Sequence, residues 1–475
     1  MAEETILYTP GTGFPDLETK IAYGLARIGI EAYGVEKVKI IDTGGFYQVI
    51  VGGEIGKIEN AFNMLCRRLL SSSYIPFSTP GITGRSAESV TVNEKDNFSL
   101  SLYQMPVSIS ENKGSEAICR HKDKGLEKIS TVIGFSASTS YHHRRDGLDV
   151  SIQQRIPRRP TDPKNICKAC GMLALLGTWY ATFIFSITDR EVIVIPLPKD
   201  QISGERLQEI FSLQHQIRKD WISQKIPQTL IPLAFLSKIP SSADILEVFD
   251  LYVAVMGRQQ GYHVEGLFLI PIDNYLSFLR ASSYNIASVD TMIREDAFGA
   301  FQELDNLILN NSLSSLHKFA RLYAQETSPK NSSWVNLLYP ETAKYLLKKY
   351  LVKEAGMIDS TIIENKALGS LARTLRYFVR QRKYSYADDI RNARKESRVF
   401  EETIAKMLRE GRLRLEQKEK IHLPNEEEIK EVFRLANGNE FDKVKTALVI
   451  LAFSFSSTVE REEVSTETFE EVQNA

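Results

Sequence analysis

Residues 141–180, "YHHRRDGLDVSIQQRIPRRPTDPKNICKACGMLALLGTWY", concentrate the side chains in this sequence best suited to chemistry. Cys167 and Cys170 form a Cys-x-x-Cys pair, a spacing that lets two thiolates reach one tetrahedral zinc ion. A structural site needs four ligands, and no second Cys-x-x-Cys is present. His142 and His143 could complete a Cys2His2 set, and so could Cys119 and His121 in "CRHKDKG". Two other readings stay open for the pair. It could be half-buried thiols opening the apolar run 171–187, behaving as small hydrophobes, or a redox couple. The cofactor expectation is therefore none, with a structural zinc as the one candidate.

The same segment is rich in arginine. Arg144, Arg145, Arg155, Arg158, Arg159, Lys164 and Lys168 face only Asp146, Asp149 and Asp162, and prolines 157, 160 and 163 favour an extended chain. Guanidinium forks on such a loop can lie along a phosphate backbone or enter a groove. A solvated loop is the competing reading. A second basic cluster lies in 371–420, which holds 15 basic and 8 acidic residues. Arg373, Arg376 and Arg380 recur at i, i+3 and i+7 and should share one helix face. After "KYSYADD", Arg391, Arg394, Lys395 and Arg398 should form a second helical stripe. Two neighbouring stripes would make a track for nucleic acid; i,i+4 pairing of Arg398 with Glu401 and Glu402 would instead make a solvated face.

Catalytic constellations are missing from the sequence. There is no G-x-x-x-x-G-K-[ST], G-x-S-x-G or His-Glu-x-x-His. "TPGTGFPD" has the glycines of a turn without the lysine and hydroxyl of a phosphate loop. "FPDLETK" resembles a nuclease metal motif, but Asp16 and Glu18 lie two apart at a helix start and should not converge on one ion.

The elements that must carry these residues fall into two regions. Periodicity predicts a helix over 16–34, a hairpin over 38–53 turned at Thr43-Gly44-Gly45, and an amphipathic helix over 57–73 burying Ile58, Phe62, Leu65 and Leu69. "NFSLSLYQM" alternates as a half-buried strand should. From about 105 to 165–168 runs a basic stretch without clear periodicity. Hairpins follow over 182–198 and 249–272. From 285 onward helical spacing prevails, with short connectors suited to a bundle. The expected fold class is α+β: a mixed amino-terminal region with short antiparallel strands and hairpins (1–284), a carboxy-terminal helical bundle (285–457) and an acidic frayed tail (458–475).

With 59 Lys plus Arg against 60 Asp plus Glu, overall charge gives no case for nucleic acid, so any basic surface must be local. Four cysteines argue against a disulfide scaffold and for a reducing compartment. The opening "MAEETILYTPGTGFPD" lacks a basic n-region, and the run 171–187 falls short of the ~20 residues of a membrane span. A cytoplasmic protein without membrane contact is expected.

Three patches resemble a known family. "NKALGSLARTLRYFVRQRKYSYADDIRNARKESRVFEETIAKMLREG" is similar to the carboxy-terminal bundle of the large subunit of type I CRISPR interference complexes (Cascade). "GFPDLETKIAYGLARIGIEAYG", and a Cys-x-x-Cys just before "ALLGTWYAT", resemble the archaeal type I-A version. The resemblance covers about half the chain. It implies a non-enzymatic subunit of a crRNA-guided surveillance complex that helps read the protospacer-adjacent motif, assists duplex opening and holds the displaced strand. Its implied partners are target double-stranded DNA, displaced single-stranded DNA, the crRNA-bound Cascade backbone and small subunits, and the helicase and HD nuclease that it docks. Some relatives carry two Cys-x-x-Cys pairs where this chain has one. On this reading the 141–168 loop is a motif-reading or wedge element and the 373–398 stripes carry displaced strand. Two other classes remain open: a metal-dependent nuclease with dispersed acidic residues, and an assembly scaffold whose basic stripes meet acidic proteins.

Overall fold

The computed structural model describes residues 4–71, 97–106, 117–119, 121, 126–128, 154–155, 165–187, 190–220, 226–239, 249–257, 263–310, 313–326, 337–346, 348–350, 362, 364–395, 398–438 and 441–454. It is an α+β protein that divides into two compact units, Met1–Asp273 and Asn274–Ala475.

In the first unit, β1 (Thr5–Tyr8), α1 (Pro15–Tyr33), β2 (Val38–Asp42), β3 (Tyr47–Val51) and α2 (Ile55–Ser71) follow in order. Gly44, at φ +84°, makes the turn of the β2–β3 hairpin, a backbone region that glycine enters without a steric cost. Alternate residues of β3 (Tyr47, Val49 and Val51) are buried, as a strand with one core face requires. Ile58, Phe62, Leu65 and Leu69 of α2 are all buried. Strands β4 (Leu126–Lys128), β5 (Gln154–Arg155) and β6 (Asn165–Cys167) lead into α3 (Lys168–Ala181). Then come β7 (Phe183–Ile187), β8 (Arg190–Pro198), β9 (Gln201–Ser203), α4 (Gly204–Asp220), α5 (Ile231–Ser237), β10 (Phe249–Gly257) and β11 (His263–Ile270).

The strands form antiparallel sheets in the orders β1-β3-β2-β9 and β5-β11-β10-β8-β7, with a separate β4-β6 pair. Both hairpins expected over 182–198 and 249–272 are present. α1 is the central element. Its Gly29 meets the Val38 and Val51 side chains of the first sheet, and its Tyr23 hydroxyl donates to the Pro196 carbonyl of β8 at 2.6 Å. α3 is apolar all round and sits buried beside α1, as such a helix must.

One expected strand is absent. "NFSLSLYQM" has no strand; residues 97–100 are irregular and Ser101–Tyr103 form a 3-10 turn. Side chains of α2 satisfy its backbone instead. Asn63 accepts from the Phe98 N–H at 2.8 Å and donates to its carbonyl at 3.2 Å, while Glu59 accepts from the Leu100 N–H at 2.7 Å. Phe98, Leu100 and Tyr103 are buried through this irregular path rather than by pleating.

The second unit is helical: α6 (Asp273–Ala281), α7 (Ser283–Arg294), α8 (Phe298–Asn310), α9 (Leu313–Glu326), α10 (Pro340–Leu346), α11 (Lys366–Arg380), α12 (Ser385–Asn392), α13 (Val399–Glu416), α14 (Glu426–Asn437) and α15 (Phe441–Ser454). It starts earlier than the change in sequence pattern at 285, because α6 is tied to later helices. Tyr275 donates to Asp305 at 2.7 Å, and Asn285 donates to the Phe278 carbonyl at 2.7 Å. Caps set several helix starts. Asn365 accepts from the Leu368 N–H, and Asn425 and Glu428 form a reciprocal capping box. The acidic segment 458–475 lies outside the described residues, and among those described no helix is long and apolar enough to cross a membrane.

Candidate metal centre and nucleic-acid interface

Cys167 ends β6 and serves as the N-cap of α3, in extended conformation at φ −69° and ψ 152°. Cys170 lies in the first helical turn, so the Cys-x-x-Cys spans a strand-to-helix junction. The Cys170 N–H points back at the Cys167 sulfur, 3.4 Å away. A helix amino terminus favours negative charge, which suits thiolates there.

The second half of the group arrives from some 46 residues upstream. Ala117 bridges Asn165 in parallel, with the Ile118 N–H donating to the Asn165 carbonyl at 2.9 Å. That pairing sets Cys119 beside β6, where its sulfur accepts from the Cys167 N–H at 3.3 Å. His121 Nδ1 lies 3.5 Å from Cys167 Sγ and 3.4 Å from Cys170 Sγ. All four side chains are buried, and their ligand atoms lie within 4.8 Å of one another. Tetrahedral zinc geometry places neighbouring sulfur and nitrogen ligands about 3.6 Å apart, close to what is seen. The donor set, three thiols and one imidazole, could hold a metal ion such as zinc.

The sequence left two completions open for the Cys-x-x-Cys. The structure assembles the Cys119–His121 one; His142 and His143 lie outside the described residues. Tyr103 was not foreseen. Its hydroxyl is 3.0 Å from Cys170 Sγ, and its ring stands edge-on to His121 with centroids 4.8 Å apart. Hydrogen bonds from Cys167 and Cys170 hold the Cys119 thiol below its ordinary range, whereas the Cys119 hydrogen bond raises Cys167 and burial raises Cys170. An ion bound by this group would displace the thiol protons. The fourth cysteine, Cys66, is buried on α2 and takes no part; burial raises it.

Asp16 and Glu18 are both buried on α1 and do not join any metal-binding group among the described residues, in line with the spacing argument.

The basic residues divide. Arg144, Arg145, Arg158 and Arg159 lie outside the described residues. Arg155 is placed by its backbone alone, in β5 opposite Gly266. Arg373 and Arg380 on α11 are partly exposed, but Arg376 between them is buried, at 7% exposure. Its Nη2 donates to the Leu451 carbonyl at 2.9 Å and its Nε to that of Ala452 at 3.4 Å, satisfying the carboxy-terminal end of α15. The three arginines share one side of α11 as expected, but the middle one, Arg376, is turned onto α15 and caps its end.

The expected second helical stripe is also corrected. α12 ends at Asn392, so only Arg391 lies on it. Arg394 and Lys395 belong to the connector, and Arg398 precedes α13 as its N-cap residue. The carbonyl of Ala393 accepts from Lys445 of α15 at 2.9 Å, which holds the connector in place. All four basic residues are nonetheless exposed. Arg391 approaches Asp388 at 3.6 Å, and among the described residues no carboxylate pairs with Lys395 or Arg398. Two other cations of this region are paired with carboxylates. Lys383 and Arg414 both pair with Glu410, and Arg414 also pairs with Glu419 at 2.9 Å.

Compared with protein-family models and with curated proteins, the chain matches none.

Proposed function

We propose that the chain is a non-catalytic, nucleic-acid-binding large subunit of a type I-A crRNA-guided surveillance complex in the cytoplasm. It would recognise the protospacer-adjacent motif, help open the duplex, hold the displaced strand, and dock the helicase and nuclease. The observation that carries the binding role is the exposed quartet Arg391, Arg394, Lys395 and Arg398, gathered into eight residues at a pinned connector. Exposed guanidinium and ammonium groups can reach phosphates, and phosphate contacts dominate affinity for single strand. The resemblance of three sequence patches to the Cascade large subunit supplies the biological setting.

The Cys119–His121–Cys167–Cys170 group serves in this reading as a structural zinc site. Four protein ligands close the coordination shell, leaving no open position for substrate. The ion would clamp Cys119 and His121 to the start of α3.

The experiment is single-strand binding by the guide-loaded complex at several salt concentrations, with the chain native or with Arg391, Arg394 and Arg398 all changed to Ala. Weaker binding on every sequence, with a salt slope flatter by ~0.7 per lost contact, is expected. An unchanged slope would reject the role of the connector.

A further inference from the structure

A cleft of about 540 Å³ in the first unit has a lining unlike either site above. It opens where the loop before α1 meets the β2–β3 turn, the β8–β9 turn and strand β10. The volume lies within the ~300–1,000 Å³ range of small-molecule sites. Four carboxylates line it: Glu18, Asp42, Asp200 and Asp250. The single ammonium there, Lys199, is already engaged by Asp250 at 2.8 Å and by Asp273 at 3.3 Å. Carboxylates outnumber the one ammonium in this lining, although burial raises the Glu18 carboxyl above its ordinary range.

Its construction is specific. Gly11 and Gly13, at φ +62° and +80°, curl the loop so that the Thr12 N–H donates to Glu18 Oε1. Glu18 is 3% exposed, and its Oε2 has no hydrogen-bond partner among the described residues. A buried carboxylate oxygen without a donor is costly, so such a group marks a place where a ligand can repay it. Asp200 adopts a left-handed backbone at φ +49°, and its carbonyl accepts from the Asp42 N–H at 2.7 Å, fixing two of the acidic turns together. The carboxylates do not converge closely enough to share a bare metal ion, since the Cys/His group alone meets that condition among the described residues. Tyr47, Tyr252 and Leu269 supply apolar lining between the charges.

We propose that this cleft binds a small organic cation, an amine or guanidinium carried on a short apolar body, with Glu18 receiving the cationic end. Glu18 Oε2 accepts the missing hydrogen bond, Asp42 and Asp200 supply attraction at longer range, and the two tyrosines contact the carbon chain. The inference is independent of the nucleic-acid reading, because it uses different residues and an opposite charge.

Agmatine, which carries both groups, is the probe, with neutral valeramide as its control. Isothermal titration of the full-length chain should show one saturable agmatine site with a Kd below ~1 mM and no heat from valeramide. Glu18→Gln should weaken binding at least about tenfold. Asp200→Asn, which keeps a residue able to adopt the left-handed turn, should weaken it about threefold and remains informative if the Glu18 variant misfolds. No saturable binding by the native chain, equal binding of valeramide, or native affinity in folded variants would overturn the proposal.

Discussion

Gly177 on α3 lies against the backbone of Lys20 on α1 so closely that a Cβ at Gly177 would come 1.9 Å from the Lys20 carbonyl oxygen. The contact is reciprocal: a Cβ at Gly24 of α1 would meet the Leu173 carbonyl of α3 at 2.1 Å. These two helices therefore pack backbone to backbone. One begins with the Cys-x-x-Cys and the other carries Glu18, so their close approach positions both sites of the first unit.

Gly177→Ala should separate the helices and destabilise the first unit by about 1–3 kcal/mol or more. Gly369→Ala is the contrasting control. Nothing lies within 4 Å of a Cβ placed there, in the interior of α11. That change should stabilise the second unit by roughly 0.5–1 kcal/mol. Chemical denaturation of both variants measures the difference, and loss of stability at 369 with none at 177 would contradict the packing described.

Metal content follows from the Cys3His set. The purified protein should carry one zinc per chain by elemental analysis, and chelation should lower its melting temperature. Cys119→Ser or His121→Ala should lose the ion, while the double change His142→Ala with His143→Ala should retain it. Loss of zinc from the 142/143 variant alone would point to the other completion.

Arg376 and the connector basic residues should behave in opposite ways. Arg376→Ala leaves the carbonyls of Leu451 and Ala452 without their donor and should cost about 1–3 kcal/mol of stability. The salt slope of single-strand binding should not change in that variant. Lys395→Ala and Arg398→Ala should leave melting nearly unchanged and flatten the slope. A stable Arg376 variant with a flatter slope would return that residue to the binding surface.

Asp305 makes the second unit sensitive to pH. Burial raises its carboxyl from 3.8 to about 7, against the lowering effect of the Tyr275 hydrogen bond. Between those values the folded chain holds a proton that the unfolded chain has released. Its contribution to stability is thus full below pH ~3.8 and declines as pH rises to about 7. Asp305→Asn can still accept from Tyr275 but cannot ionise. It should be more stable than the native chain at pH 8, by on the order of 1–3 kcal/mol, with that advantage shrinking toward pH 4. Parallel stability curves for the two proteins across this range would rule out the buried acid as the cause.

Local signals in the sequence were reliable where a single residue type decides the geometry. Gly44 made the β2–β3 turn readable, and apolar spacing located the buried face of α2. The Cys-x-x-Cys marked half of the metal group. Its other half was ambiguous because Cys119 and His121 are brought in by one bridge, Ala117 to Asn165, that no periodicity announces. The alternation in 97–105 suggested a strand because buried residues do alternate there. The backbone partners turned out to be Asn63 and Glu59 side chains, which pattern cannot reveal. Likewise the i, i+3, i+7 spacing placed Arg373, Arg376 and Arg380 along one side of α11 without showing that α15 packs against Arg376.

Duplex binding by the guide-loaded complex, assembled with and without this chain, tests the central claim most directly. Matched targets with a correct or a scrambled adjacent motif would be compared at several salt concentrations. The account predicts motif-dependent binding that disappears when the chain is omitted. Equal binding by the two preparations would contradict it.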